Sequence, residues 1–307
     1  MRVLPVEQIP KELWLDSVLL VPVHAISCYE HELTALGLFD QAQNGTDKKA
    51  IHGGCDEAAS LEHFTHRYSV SAGRLEFTAL APDLGLTPVS DALLSSFSDG
   101  HVTLLDIPCG AGSSAVALLA TLSSLRSKGV LPTLPLTVTI VGGDCSGKAL
   151  EIYSSMMTRL KPLIASCGIE ICWHLEIWDA TRADSTANLI DKWFAASIGV
   201  GEYFVCIANF SGALIHAGLF EAFSPSLEQI LGRLHDKKST VIWLEPSGAT
   251  VKAKLLPRII EFIKKRIGWF STHSGSPEFA SSNYKMADPI NGKTFDSGVE
   301  VQRFIRK

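Results

Sequence analysis

Gly110 and Gly112 stand just past a short apolar run, Val102-Thr103-Leu104-Leu105-Asp106-Ile107. Glycine lets a ligand approach the backbone closely, and a helix starting beyond such a loop offers free N–H groups. The loop reads Asp106-Ile107-Pro108-Cys109-Gly110-Ala111-Gly112 and runs on into Ser113-Ser114-Ala115. The spacing Gly110-x-Gly112-x-x-Ala115 fits the G-x-G-x-x-A pattern of a dinucleotide site, and alone it does not choose a cofactor.

Asp106 supplies the choice. A carboxylate beside a pyrophosphate is repulsive, whereas beside the ammonium and sulfonium of S-adenosyl-L-methionine it is favourable. The run Leu104 to Gly112 resembles the first motif of class I, Rossmann-like S-adenosylmethionine-dependent methyltransferases. That motif usually carries a glycine where this chain has Pro108, which removes one backbone donor. Val141-Gly142-Gly143-Asp144-Cys145-Ser146 resembles the segment whose acid takes the ribose hydroxyls. The interval from Gly110 to Asp144 exceeds the roughly 20 residues usual in such folds, and Ser127 to Pro135 accounts for the excess as an inserted loop. Glu176-Ile177-Trp178-Asp179-Ala180 resembles the segment whose acid accepts the adenine amino group, with Trp178 more simply a core residue. Cys206-Ile207-Ala208-Asn209-Phe210 falls where the family's fourth strand opens toward the transferred methyl. Taken singly, each acid also reads as an ordinary helix cap or solvated strand end. Three acids after three consecutive strands, in this order, carry the resemblance, which covers residues 101–307.

The resemblance implies a cofactor set of Asp106, Pro108, Cys109, Gly110, Gly112, Asp144, Cys145, Asp179, Ala180 and Asn209. A segment before the first strand folds over the cofactor in many such proteins, and Tyr68 and Arg74 are the candidates here for holding the methionine carboxylate; guanidinium geometry suits that acceptor. Cys109 and Cys145 read as small packing residues rather than nucleophiles. Methyl transfer is an in-line displacement dominated by positioning, and a base is needed only for some acceptors. His216 is the candidate base, with Phe210 and Glu245 as candidate substrate contacts. No metal site is expected. The implied activity is methyl transfer to an acceptor of unread class, a small molecule slightly before RNA or protein. Other readings are an NAD-dependent oxidoreductase, or a non-catalytic adenosylmethionine-binding protein of the same fold.

The elements that must hold these residues follow from periodicity. Helical spacing marks Lys11 to Leu20, Ser27 to Leu38, Glu57 to Tyr68 and Ser90 to Ser96. Gln41 to Gly54 reads as a loop and Ser69 to Arg74 as a break. From His101 apolar strands alternate with helices: strands at Val102–Ile107, Leu136–Val141, Ile169–Trp178, Tyr203–Ala208 and Ser239–Leu244, and helices between them. Such alternation predicts βαβ units and a parallel sheet. A helix over Val251–Ile267 precedes two last strands, Trp269–His273 and Val299–Arg306, joined by a long Gly/Ser/Asn-rich loop over Ser274–Gly298. The prediction is an α/β fold: a Rossmann-like, mostly parallel seven-stranded sheet flanked by helices, with an antiparallel C-terminal strand. Residues 1–100 are predicted to form a mainly helical cap or substrate segment.

Hydrophobic residues make up 46% of the 307, enough for a sizeable core, and the formal net charge of −5 carries no basic excess for gripping nucleic acid. Lys252, Lys254, Arg258, Lys264, Lys265 and Arg266 form the plainest basic run, read as a solvated helix face; with the Arg/His-rich segment 63–74 it keeps RNA open as an acceptor. Seven cysteines, an odd number with no C-x-x-C pair, suit reduced thiols better than a disulfide framework. No apolar stretch is long enough to span a bilayer, and Met1–Glu7 does not resemble a signal peptide. A cytoplasmic protein without a membrane partner is the expectation.

Overall fold

The computed structural model describes residues 3–44, 54–197, 201–210, 212, 214, 218–247, 270–271 and 279–306. The first strands, β1 (Trp14–Leu15) and β2 (Val18–Leu19), form a tight antiparallel hairpin. Both of its turn residues, Asp16 and Ser17, have positive φ, 49° and 64°, the backbone that lets a two-residue turn follow the strand twist. The helical spacing read over Lys11–Leu20 is therefore corrected to a hairpin. Helices α1 (Val23–Ala35), α2 (Phe39–Asn44), α3 (Glu57–Leu80) and α4 (Thr87–Ser96) follow. Next come β3 (Gly100–Asp106), α5 (Ser113–Ser127), β4 (Leu136–Asp144), α6 (Gly147–Ala165), β5 (Ile169–Ile177), α7 (Ala183–Ala196), β6 (Glu202–Ala208), α8 (Phe220–Arg233) and β7 (Ser239–Pro246). The chain closes with β8 (Phe270–Ser271), β9 (Phe279–Ala287) and β10 (Thr294–Arg306).

The strands make one mixed sheet in the order β1-β2-β9-β10-β7-β6-β3-β4-β5, with β8 pairing β10 off that path. The block β7-β6-β3-β4-β5 is parallel throughout. β3, β4, β6 and β7 are buried on both faces over most of their length, which is why they read as largely apolar runs, whereas β5 at the sheet's edge alternates buried and exposed residues. β10 runs antiparallel to both β7 and β9, as expected for the C-terminal strand. Among the described residues the sheet holds ten strands rather than seven; the additional ones are β1, β2 and β9. β9 occupies the stretch read as a long loop. Its alternation is weak, with Ala280, Tyr284 and Met286 buried between polar residues, so period-2 patterning was hidden among serines and asparagine.

Helices cover both faces. One apolar cluster gathers α1, α3, α4, α5 and α6 against the sheet, and the other gathers α7 and α8. The central helix of the first layer is α3. Asp56 caps it, its Oδ1 accepting from Ala59 N at 2.8 Å, and Ala81 ends it in the left-handed conformation ahead of Pro82. The break expected at Ser69–Arg74 is instead the buried middle of this helix. Its small residues are there for packing: a Cβ on Gly73 would lie 2.5 Å from Met286 Sδ of β9. Close approach to the sheet outweighs the intrinsic helix penalty of glycine, about 1 kcal/mol.

The cysteine expectation is also corrected. Cys55 and Cys145 form a disulfide across 90 residues, and the described free cysteines are Cys28, Cys109, Cys167, Cys172 and Cys206. The all-thiol argument for a reducing compartment therefore falls away. No helix among the described residues is long and apolar enough to cross a membrane. The basic run 252–266, with the helix expected there, lies outside the described residues, and so does His216.

Candidate functional site

From β3 the chain moves outward to β4 and β5, then returns to β6 and β7 on the other side. The order therefore reverses between β3 and β6, and an open α/β sheet leaves a crevice at the carboxyl ends of its strands there. Asp106 ends β3 at this point, in register with Gly142 on one side and Cys206 on the other. The loop turns at once. Gly112, at φ 78°, caps α5, and a Cβ there would meet the Tyr153 ring at 2.1 Å. At Gly110 nothing lies within 4 Å of where a side chain would start, so the backbone is open to a ligand.

Asp106 is 1% exposed. Burial pushes its pKa up to about 8; the Tyr153 hydroxyl, donating to Oδ2 at 3.1 Å, opposes that rise, and the neighbouring Asp144 adds to it. The carboxyl is thus a buried acid with one hydroxyl donor and a like charge nearby. Asp144 ends β4 and is braced by backbone. Oδ2 accepts from Gly110 N and Oδ1 from Ser146 N, both at 2.9 Å. These bonds oppose the rise in its pKa that burial causes. Tyr68 reaches the same region from α3. Its hydroxyl is buried without a hydrogen-bond partner, and burial raises its pKa, with Cys28, Tyr29 and Asp106 adding to the rise. Cys109 is buried, and burial pushes its thiol well up, as a packing residue's would be.

The remaining acids differ. Asp179 is exposed, and its Oδ1 accepts from Thr181 N at 2.9 Å and Thr181 Oγ1 at 2.7 Å. Ala180 beside it is half-buried, and Trp178 is a core residue bonded to Thr186. Glu245 is 2% exposed; its Oε1 accepts from Trp243 Nε1 at 2.7 Å and Phe210 N at 3.1 Å. That carboxylate ties the ends of β6 and β7 together. Phe210 packs with Trp178 and Phe223 in the second cluster. Cys145 is held in the disulfide.

Arg74 joins the two halves of the site. It sits in the buried middle of α3, donates to Asn209 Oδ1 and donates from Nε to Gly298 O at 3.4 Å. Asn209 follows β6 with φ 58°, a left-handed backbone that asparagine tolerates better than most residues. Burial lowers the Arg74 pKa, with Tyr284 and Glu245 opposing the drop. Sequence reasoning singled out Arg74 and Asn209 but not their contact, which depends on packing between residues 135 apart.

It also missed the covering of β4. Ser60 Oγ donates to Ser146 Oγ at 2.6 Å, Lys148 pairs with Glu57 at 3.5 Å, and the disulfide joins Cys55 to Cys145. The start of α3 is thus fastened over the strand end that carries Asp144. A cavity of about 1110 Å³ lies on the far side of Arg74, between α3, the β1–β2 hairpin and β9–β10. Asp106, Asp144 and the glycine loop do not line it.

No family model matches the chain, and no curated protein matches it. Among solved structures, one comes from work on the conversion of a disulfide bond into a thioacetal group during echinomycin biosynthesis. It is 14% identical, with a TM-score of 0.34, over 72% of this chain and 82% of that one. Another is cofactor-bound Rv0187 from MTB, 12% identical with a TM-score of 0.32 over 88% and 89% of the two chains. Likeness this distant carries no argument about activity.

Proposed function

We propose that the protein is a Rossmann-like S-adenosylmethionine-dependent methyltransferase. One observation carries the reading: Asp106, a buried carboxyl at the switch point of the sheet, lies beside an open glycine backbone and lacks a cationic partner among the described side chains around it. A cationic ligand fits that deficit, and the unpartnered Tyr68 hydroxyl adds a polar atom at the same end. Asp106 and Tyr68 would hold the methionine end, Asp144 with its remaining lone pairs the ribose, and Asp179 with Ala180 the adenine. Bound there, the cofactor supplies a methyl group already activated by the sulfonium. The chain's own residues orient and exclude water: Arg74 fixes the Asn209 side chain, and Glu245 fixes the backbone at Phe210.

A second reading, NAD binding, is favoured by one feature. Burial keeps Asp106 protonated up to a pH of about 8, which weakens its repulsion of a pyrophosphate. Equilibrium dialysis against labelled adenosylmethionine and labelled NAD separates the two. Micromolar binding of adenosylmethionine alone is expected; binding of NAD alone overturns the proposal. Asp106→Ala and Asp144→Ala should each abolish adenosylmethionine binding while far-ultraviolet circular dichroism stays native.

A further inference from the structure

Tyr153 reads in the sequence as one more core position of α6. Ser146 caps that helix, its Oγ accepting from Ala149 N at 3.2 Å. Ala149, Tyr153, Met156, Leu160 and Ile164 then recur at helical spacing and are all buried, the stripe by which a helix packs on a sheet. Tyr153 lies seven residues past the cap, about 10 Å along the helix axis. Its ring comes to rest against the glycine loop. A Cβ on Gly112 would lie 2.1 Å from the ring, and one on Gly142 of β4 would lie 3.3 Å from its Cε1. Both glycines leave room for this ring, so Gly112 serves a side chain of the protein as well as the turn.

From that place the hydroxyl donates to Asp106 Oδ2 at 3.1 Å, with Tyr153 itself wholly buried. A hydrogen bond to an ionised acceptor is roughly twice as strong as one between neutral groups, so this donor favours the carboxylate over the carboxylic acid. Four other titratable groups act on Asp106 or are acted on by it: Asp144 on β4, Tyr68 on α3, Cys109 in the loop and Cys206 on β6. None is a cation, and Asp144 opposes a charge on Asp106. Of these five groups, only the Tyr153 hydroxyl lowers the Asp106 pKa. Burial pushes the pKa of that hydroxyl well up, with Asp106 and Cys109 adding to the rise, so it remains a donor across the neutral range. The donor is carried by a capped, packed helix rather than by the loop, which fixes its position.

We propose that Tyr153 is the positioning residue of this site: its hydroxyl aims the Asp106 carboxyl and favours its negative charge, leaving Oδ1 for the cationic end of a ligand. That the ligand is adenosylmethionine rests on the methyltransferase reading; the tie between the two side chains does not. Tyr153→Phe removes the hydroxyl and keeps the ring that fills the space beside Gly112 and Gly142. Without the donor the folded pKa of Asp106 rises above about 8, so the fall of stability with pH continues to higher pH. Thermal melts of unliganded wild type, Tyr153→Phe, Asp106→Asn and the double variant, from pH 6 to 10, test this. The gap between wild type and Tyr153→Phe should be level at the acid end and widen from about pH 8 upward. The gap between Asp106→Asn and the double variant should stay constant. Calorimetric affinity for adenosylmethionine, compared at each pH, should be weaker in Tyr153→Phe by about threefold or more at pH 7 and by less at pH 9, as a raised pKa requires. A melting gap that ignores pH, or one that widens equally in the Asp106→Asn background, overturns the proposal and leaves the hydroxyl a packing group. So does an adenosylmethionine affinity that is equal in the two proteins, or lowered by the same factor at every pH. If the melts behave as expected and adenosylmethionine does not bind wild type, the tie between the side chains stands and the methyltransferase reading fails.

Discussion

Asp106 is the residue on which stability and binding pull in opposite directions. Its folded pKa of about 8 lies well above the usual carboxylate value of 3.8. Between these values the folded chain holds a proton that the unfolded chain releases, so stability must fall as pH rises, by up to about 1.4 kcal/mol per pH unit. The contribution is fully present below pH 3.8 and lost once pH passes about 8. A cationic ligand favours the ionised form, so its affinity must instead rise with pH across the same window. Asp106→Asn removes the titrating group while keeping the shape. Thermal melts of the unliganded protein from pH 5 to 8 should show a steeper decline for wild type than for Asp106→Asn. The wild-type affinity for adenosylmethionine should rise over that interval. Parallel melting curves for the two proteins would mean that Asp106 does not titrate there. The residue was legible in the sequence because two glycines and a strand framed it. Its protonation was not, since burial on both sides by Gly142 and Cys206 is set by register with other strands.

Helix α3 shows why elements are harder to read than motifs. Ser69-Val70-Ser71-Ala72-Gly73 has the composition of a break, yet it lies in the mostly buried middle of the helix, where Gly73 closely approaches Met286 of β9. Tertiary packing overrode local propensity. The same helix carries Tyr68, Arg67 and Arg74, so reading it as broken separated residues that share one rigid scaffold. The disulfide at its head was equally hidden. An odd cysteine count and a separation of 90 residues give no pairing signal. In structural terms it closes a long loop and holds the start of α3 over the residue after Asp144. Closing a loop of that length stabilises by about 4–5 kcal/mol in the chain-entropy account, by restricting the unfolded chain. Cys55→Ser should therefore lower the unfolding free energy by about that amount, and reductant should melt wild type to match it. Adenosylmethionine affinity should weaken severalfold in the same variant, because Asp144 loses its cover. Unchanged melting and affinity under reductant would show that the tie contributes to neither.

The two ends of the sheet divide the work. The carboxyl ends carry Asp106, Asp144 and Asn209; the opposite ends are clamped by one buried cation, Arg126 of α5, which is 3% exposed. Its guanidinium donates to Leu134 O at 2.6 Å, Ser98 O at 2.7 Å and Cys167 O at 3.0 Å. Those carbonyls belong to the segments entering β3, β4 and β5, the three strands that later present the acids. The guanidinium thus satisfies buried carbonyls from three connections at once, and burial lowers its pKa. Arg126→Met keeps much of the apolar stem but leaves those carbonyls without their donor, a loss of about 3 kcal/mol or more by the usual cost of unsatisfied buried groups. Because the strands between the clamp and the crevice are rigid and continuously paired, the cost should appear in global stability rather than in the site. Denaturant unfolding should shift to a lower midpoint with an unchanged slope. The adenosylmethionine dissociation constant of the folded protein at low temperature should stay within about twofold of wild type, since additivity holds for sites this far apart. A large affinity loss in a protein still fully folded would mean instead that the two ends of the sheet are mechanically coupled, and that positions at its base belong to the binding machinery.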